Sequence, residues 1–252
     1  MKLPLRIESA GDSHLGLVRR RNEDAIHLGH FLVAVADGLG GHVAGDVASS
    51  TAIDVLRQYD QEVESGSPAD VLGRAVNSAN DALRRRIEAE PELAGMGTTL
   101  VAMLVSGTTA ALANVGDSRA YLLHGRGPQQ GQTTQITEDH LYGHLVADAA
   151  DVPNLPERLA RFLDGRPDGR SPDITLLTLQ PGDRYLLCSD GLSSYVPLAL
   201  IHAALAASPT PAEAVERLIT TALDHGGPDN ITVAVIDIQC TDGLVIRSKD
   251  ER

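Results

Sequence analysis

The stretch Phe31-Leu32-Val33-Ala34-Val35-Ala36 is short, apolar and partly β-branched, and Asp37-Gly38-Leu39-Gly40-Gly41 stops it. That is the pattern of a buried strand feeding a turn. Past the turn, Val43, Val47, Thr51, Val55 and Tyr59 recur four apart, which predicts an amphipathic helix entered through a glycine-rich loop. Ser67 and Pro68 supply an N-cap and first turn for a second helix, running to about Glu90 ahead of Pro91, with Val71, Ala75, Ala79 and Ala82 on one face. Apolar runs at 98–105, 109–115 and 120–123 are separated by Ser106-Gly107 and Gly116-Asp117-Ser118. Such brief connections predict antiparallel hairpins, because parallel crossovers need more residues.

Further strands are predicted at 174–179, 184–188 and 231–238, with helices at 197–207 and from Thr210-Pro211 to Gly226. Residues 124–173 hold irregularly placed Gly and Pro around one predicted short helix, 155–163, and read as a functional flap. Neither a repeat nor a linker interrupts the pattern, so residues 1–240 read as a single domain and 241–252 as a polar C-terminal tail that frays. Strands and helices mixed in this order give an α+β class.

Composition narrows the function. In 252 residues, 42% are hydrophobic and 22% charged, enough apolar material for a core and a poor fit to disorder. A net charge of −13, aromatics at 3% and no Trp argue against nucleic-acid binding and suit cation binding. Two cysteines cannot build a disulfide framework. Cys188 lies in the apolar run that begins at Tyr185, so a reduced thiol and a cytoplasmic location are expected. Lys2, Arg6, Glu8 and Asp12 interrupt the N-terminus, and no run approaches the ~18 apolar residues of a bilayer span, so neither export nor a membrane partner is expected.

Four aspartates sit where apolar runs meet turns: Asp37, Asp117, Asp190 and Asp229. Each alone is explained as a turn former. Brought together they would repel one another unless cations neutralise them. All-oxygen donors without paired His or Cys select Mg2+ or Mn2+ over zinc. Gly38, with a bare backbone, is a candidate carbonyl ligand.

The motifs Arg19-Arg20-Arg21-Asn22-Glu23-Asp24, Ala36-Asp37-Gly38-Leu39-Gly40-Gly41-His42, Gly97-Thr98-Thr99, Gly116-Asp117-Ser118-Arg119, Ser189-Asp190-Gly191 and Asp229-Asn230-Ile231-Thr232 occur in this order. Together they resemble the type 2C metal-dependent Ser/Thr protein phosphatase family in its compact bacterial form. The resemblance covers roughly residues 6–238. It implies two antiparallel β-sheets packed as a sandwich with helices on both outer faces (α-β-β-α), and a metal cluster at one end.

Carried over residue by residue, it makes Asp37 the bridge between two metals and Gly38 a carbonyl ligand of one of them. Asp190 and Asp229 become ligands of the other, and Asp117 with Asp190 the holder of a third, weaker ion. Glu23 and Asp24 would act near the metals mostly through water, and Arg19 would bind the substrate phosphate with two parallel donors, a geometry Lys cannot reproduce. Two Mn2+ or Mg2+ ions about 3.5–4 Å apart would lower the pKa of a bridging water for in-line attack at phosphorus, with no protein nucleophile.

Two departures stand out. Leu39 occupies the place where some relatives carry a His, leaving His42 as a nearby alternative acid. Thr137-Glu138-Asp139-His140 resembles the family's Thr-x-Asp-His at the start of the flap, but Leu141 replaces the serine that often follows, and a later His-Pro pair is missing.

The implied function is hydrolysis of phosphoserine and phosphothreonine on proteins, opposing a Ser/Thr kinase, by a cytoplasmic monomer. A small-phosphoester hydrolase on the same site is the alternative among enzymes, and a catalytically silent phosphoprotein-binding module the alternative outside them. The loop Gly38–Gly45 lacks the Gly-Lys-Ser/Thr ending of a nucleotide-binding P-loop.

Overall fold

Residues 5–40, 44–125, 131–145, 153–155, 158–167 and 171–240 are described by a computed structural model. In chain order the elements are β1 (Leu5–His14), β2 (Asp24–Leu28), β3 (Leu32–Leu39), α1 (Gly45–Arg57), α2 (Pro68–Ala89), β4 (Gly97–Thr98), β5 (Leu100–Ser106), β6 (Thr109–Val115), β7 (Arg119–Leu123), β8 (Thr133–Gln135), α3 (Tyr142–Leu145), β9 (Asp173–Thr178), β10 (Arg184–Cys188), α4 (Asp190–Ser193), α5 (Leu198–Ala207), α6 (Pro211–Asp224) and β11 (Ile231–Cys240). One sheet is ordered β1-β11-β10-β7-β8 and the other β2-β3-β5-β6-β9, with β4 paired to β3. Every pairing is antiparallel.

The two-residue period of the central strands assigns their side chains to layers. Along β3, Leu32, Ala34 and Ala36 face α1 and α2, while Val33 and Val35 face the second sheet. β11 does the same in reverse: Ala234, Ile236 and Ile238 enter the space between the sheets, and Ile231, Val233 and Val235 pack on α5 and α6. Three apolar layers result, helix on sheet, sheet on sheet and sheet on helix, which is the expected α-β-β-α sandwich.

The helices start where expected. Ser67 Oγ accepts the Ala69 N–H at 3.2 Å, and Thr210 Oγ1 accepts the Glu213 N–H at 3.2 Å. Their buried stripes differ in part from the sequence reading. In α1 the buried apolar side chains are Ala48, Ala52, Ile53 and Leu56, with Val47, Val55 and Tyr59 only flanking. A strict four-residue repeat drifts around a helix of 3.6 residues per turn, so it cannot follow one face for four turns. In α2, Ala75 and Ala79 are buried as expected, alongside Leu72, Val76 and Leu83.

Three expectations are corrected. The connection Gly116-Asp117-Ser118 is not a hairpin: β6 pairs with β5 and β9, β7 with β10 and β8, so the chain crosses there from one sheet to the other. The predicted helix 155–163 is absent among the described residues of that stretch, where Leu159 bridges Leu141 and Leu163 bridges Thr98 in extended pairings. The run at 98–105 breaks at Thr99 into β4 and β5. β1, β2 and β8 are strands that the apolar pattern does not reveal. The tail 241–252 and His42 lie outside the described residues.

One ion pair is fully enclosed. Arg184 and Asp237 are cross-strand partners on β10 and β11, joined at 2.6 Å (Nε to Oδ1) and 2.8 Å (Nη2 to Oδ2). The remaining guanidinium nitrogen donates to the Leu205 and Ser208 carbonyls at 2.7 and 2.8 Å, closing the C-terminal end of α5. Removing one partner leaves a buried charge uncompensated. Asp237→Ala is therefore expected to lower stability by about 3–5 kcal/mol in urea unfolding, a loss far beyond that of an exposed pair such as Arg57–Asp54.

Candidate active site

The sandwich brings several strand termini to one end. Asp24 opens β2 directly across from Asp37 near the end of β3. Asp190 follows β10, Asp229 precedes β11, and the paired ends of those strands, Cys188 and Val233, lie side by side. Asp117 sits on the crossover between the sheets.

Of the eight residues singled out in the sequence, Arg19, Glu23, Asp37, Gly38, Asp117, Asp190 and Asp229 line one cavity of about 350 Å³, together with Leu39, Leu159 and Asn230. Asp24 is not in its wall. It lies behind, with Oδ2 accepting from Ser189 Oγ at 2.8 Å, while Oδ1 is buried without a hydrogen-bond partner among the described residues.

Backbone contacts fix these carriers. The Asp37 N–H donates to Thr99 Oγ1 at 3.1 Å, and the Asp37 carbonyl accepts from the Thr99 N–H and from Thr98 Oγ1, each at 2.9 Å. Thr99 Oγ1 also meets Ser118 Oγ at 2.7 Å, tying the Asp37 strand to the crossover. Asn230 holds the Arg19 loop. Its Nδ2 donates to the Leu15 and Arg21 carbonyls at 2.9 Å each, and its Oδ1 accepts the Glu23 N–H at 2.9 Å. Gly38 is required by space, since a Cβ there would meet the Gly45 carbonyl oxygen at 2.1 Å and the Glu23 carbonyl oxygen at 2.5 Å. Thr99, Ser189 and Asn230 belong to the sequence motifs, but nothing in the sequence separates their anchoring roles from turn chemistry.

Burial and like charge shape the electrostatics. Burial pushes the Asp24 carboxyl up to about 6, with Thr232 and Ser189 hydroxyls opposing and Asp190 and Asp229 adding to the rise. Burial and then Asp190 push Asp117 up to about 7. Asp37 is raised well above the usual carboxylate range by burial first and then by Asp24, Asp190, Asp117 and Asp229. Asp190 is raised by burial and Asp229, with a hydrogen bond to Asp37 opposing. Arg19 is the counter-charge: its Nη2 lies 2.5 Å from Asp229 Oδ2, and that bond raises the guanidinium above its ordinary value.

Among the described residues no three His, Cys, Asp or Glu side chains close on a common point as a finished ligand cage. The donor set nonetheless fits hard divalent cations. It is all oxygen, it is crowded with carboxylates whose pKa values burial and mutual repulsion raise, and Asp24 just behind it has one buried orphan oxygen.

These shifts carry a sign that can be measured. The folded values near 6 and 7 lie above an unfolded carboxylate pKa of about 4, so between them the folded chain binds more protons than the unfolded chain. Stability of chelated protein therefore rises as pH falls through that window, with a Tm about 5–10 °C higher at about pH 5.5 than at about pH 7.5. Saturating Mn2+ is expected to reverse the trend, because ligands must deprotonate to bind. Thermal melts with and without chelator check both signs.

The profile described as Protein phosphatase 2C matches residues 10–144. The chain is 41% identical over 244 residues to the serine/threonine protein phosphatase PstP of Mycobacterium tuberculosis, across 94% of this chain and 46% of PstP, so it spans about half the length of that relative. The serine/threonine phosphatase stp of Listeria innocua is 36% identical over 240 residues, across 88% of this chain and 92% of stp. The crystal structure of the PstP catalytic domain in complex with two manganese ions matches at a TM-score of 0.83 and 42% identity, over 93% of this chain and 99% of that one. PppA of Pseudomonas aeruginosa matches at 0.79 and 32%, over 92% and 97%. With an α-β-β-α sandwich, oxygen donors gathered at one end of it and these relatives, the chain belongs to the protein phosphatase 2C family of metal-dependent serine/threonine protein phosphatases.

Proposed function

We propose that this chain hydrolyses phosphoserine and phosphothreonine on proteins, opposing a Ser/Thr kinase, with residues 1–240 acting as one catalytic domain, and that it works as a monomer in the cytoplasm. The observation that carries the reading is the meeting of Arg19, Glu23, Asp37, Gly38, Asp117, Asp190 and Asp229 from distant segments around one cavity. Among the described residues no helix is long and apolar enough to cross a membrane.

In this reading Asp37 and the Gly38 carbonyl, with Asp190 and Asp229, hold two Mn2+ or Mg2+ ions, and Asp117 with Asp190 holds a third, weaker one. Bound there, the cations would neutralise the carboxylates, polarise the phosphoryl oxygens and make water nucleophilic at neutral pH.

The chain's own groups do the rest. Arg19, half exposed at the cavity, offers parallel N–H donors to the phosphoryl oxygens. Glu23 in the wall and the orphan Oδ1 of Asp24 behind it accept hydrogen bonds from water and orient it. Cys188, two residues before Asp190, does not compete as a nucleophile, since it is fully buried and burial pushes its pKa up to about 12. Leu39 lines the cavity two residues after Asp37 and offers no proton to the leaving alkoxide. Leu17 and Val18, which directly precede Arg19 in the chain, are exposed apolar side chains that suit contact with a polypeptide better than with a small phosphoester.

Hydrolysis of a phosphothreonine peptide with Mn2+, with and without chelator, tests the proposal, and activity that survives chelation would sink it. Asp190→Asn is expected to lower kcat more than about 100-fold, beyond the loss from outer-shell partners of a metal. Arg19→Ala removes a charge-assisted contact of about 1.5–3 kcal/mol and is expected to raise KM tenfold or more with a smaller change in kcat. An unchanged KM would remove the role given to Arg19.

A further inference from the structure

The crossover at Gly116-Asp117-Ser118 leaves one sheet before it joins the other, so its backbone groups have no ladder to pair with. One residue of the flap supplies both partners for Gly116. The His140 N–H donates to the Gly116 carbonyl at 3.0 Å, and the Gly116 N–H donates to His140 Nδ1 at 3.1 Å. Gly116 itself is at φ +115°, where a Cβ would meet Thr99 at 2.7 Å, so the turn has one conformation that fits.

His140 is 1% exposed and its ring is fixed at the far side as well. An Nδ1 that accepts leaves the proton on Nε2, which donates to Asp173 Oδ2 at 2.9 Å. Asp173, on β9, is held in turn by Arg161 at 2.9 Å. The neighbouring residues run along the same stretch. Asp139 takes Arg119 through both oxygens, at 2.9 and 2.6 Å, and Thr137 Oγ1 accepts the Ala120 N–H at 3.0 Å. The segment Thr137–His140 thus follows the crossover residue by residue.

Asp117 follows Gly116 directly, so fixing both backbone polar atoms of Gly116 fixes where Asp117 leaves the turn. We infer that His140 is a positioning residue which, by clamping both backbone polar atoms of Gly116, holds Asp117 on the cavity wall and so sets the affinity of the weakest cation and the turnover that depends on it. The inference rests on the reading of Asp117 as a ligand. It also explains the Thr-x-Asp-His motif of the flap, which is anchored through the same contacts that hold the ligand.

Substitutions at His140 separate the two ring nitrogens. An Asn side chain places its amide oxygen close to where Nδ1 lies, whereas Gln reaches toward the Nε2 position. Titration calorimetry with Mn2+ alone, together with kcat and KM on a phosphothreonine peptide, is run on the native chain, His140→Ala, His140→Gln, His140→Asn and Asp117→Asn. Expected for His140→Ala and His140→Gln is a loss of about 10–100-fold in the weakest Mn2+ affinity, tighter binding unaltered, with kcat falling and KM holding. His140→Asn restores most of both.

Folded His140→Gln protein with native weak-site affinity and kcat would overturn the inference. So would His140→Asn as impaired as His140→Ala, since a ring that merely fills space is not rescued by a smaller acceptor. If Asp117→Asn leaves Mn2+ binding and kcat at native values, the assignment of Asp117 as a ligand falls, and the inference with it. If Asp117→Asn is impaired while His140→Ala and His140→Gln are native, the site reading stands and only the clamp is refuted.

Discussion

Like charges held together out of water are the constraint on which this structure turns. Asp24, Asp37, Asp117 and Asp190 are each partly buried, and each is pushed toward its protonated form by that burial and by the charge of at least one other aspartate. Nothing in such a group favours its own assembly. The favourable free energy comes from elsewhere, from three stacked apolar layers in which the central strands are covered on both faces. The sandwich is therefore rigid where it is apolar, and the repelling groups are confined to the ends of its strands, where the apolar ladder stops.

Rigidity is passed to the carboxylates through backbone contacts more than through contacts of the carboxylates themselves. Asp37 is held by Thr98 and Thr99 and the Arg19 loop by Asn230, all through main-chain atoms, whereas Asp24, which stands behind the cavity wall, is held through its own Oδ2 by Ser189. Arg119 joins two carriers: while bound to Asp139 it also donates to the Ser193 carbonyl at 3.0 Å, so the crossover with Asp117 is tied to α4, which begins at Asp190. Holding the main chain leaves carboxylate oxygens available. An acid anchored through its own oxygens would have fewer lone pairs for a cation.

Legibility in the sequence followed solvent exposure. The strands β3, β5, β6, β10 and β11 are inner strands whose faces are both covered, and they show as continuous apolar runs; β9 is the exception, an edge strand that Ile174, Leu176 and Leu177 still mark although it is largely exposed. The strands missed, β1, β2 and β8, are all edge strands. β1 carries Arg6, Glu8 and Asp12 among small residues because only part of its surface is covered. The crossover at residues 116–118 reads as a hairpin because a two-sheet crossover and a tight turn use the same Gly-Asp-Ser chemistry; only the pairing of β6 with β9 and of β7 with β10 tells them apart. The candidate site was legible to the extent that each aspartate marks the end of an apolar run. Its anchors were not, since a Thr or Asn in a turn has the same local signature whether it caps its own backbone or holds a segment far away in the chain.

Charge also sets an order of events at the cavity. The chain carries −13 overall, and Arg19 is the one basic side chain among the described residues lining the site, already paired with Asp229. Arg119 lies nearby but is committed to Asp139 and the Ser193 carbonyl. A phosphate dianion approaching bare carboxylates would meet net repulsion that a single guanidinium cannot overcome. Neutralising the acids must therefore come before phosphate binding, and the same neutralisation releases Arg19 from its duty toward Asp229. Under the proposed function, one arginine thus serves as counter-ion to the acids in one state and as hydrogen-bond donor to the phosphate in the other, without a second basic residue among the described residues of the cavity wall.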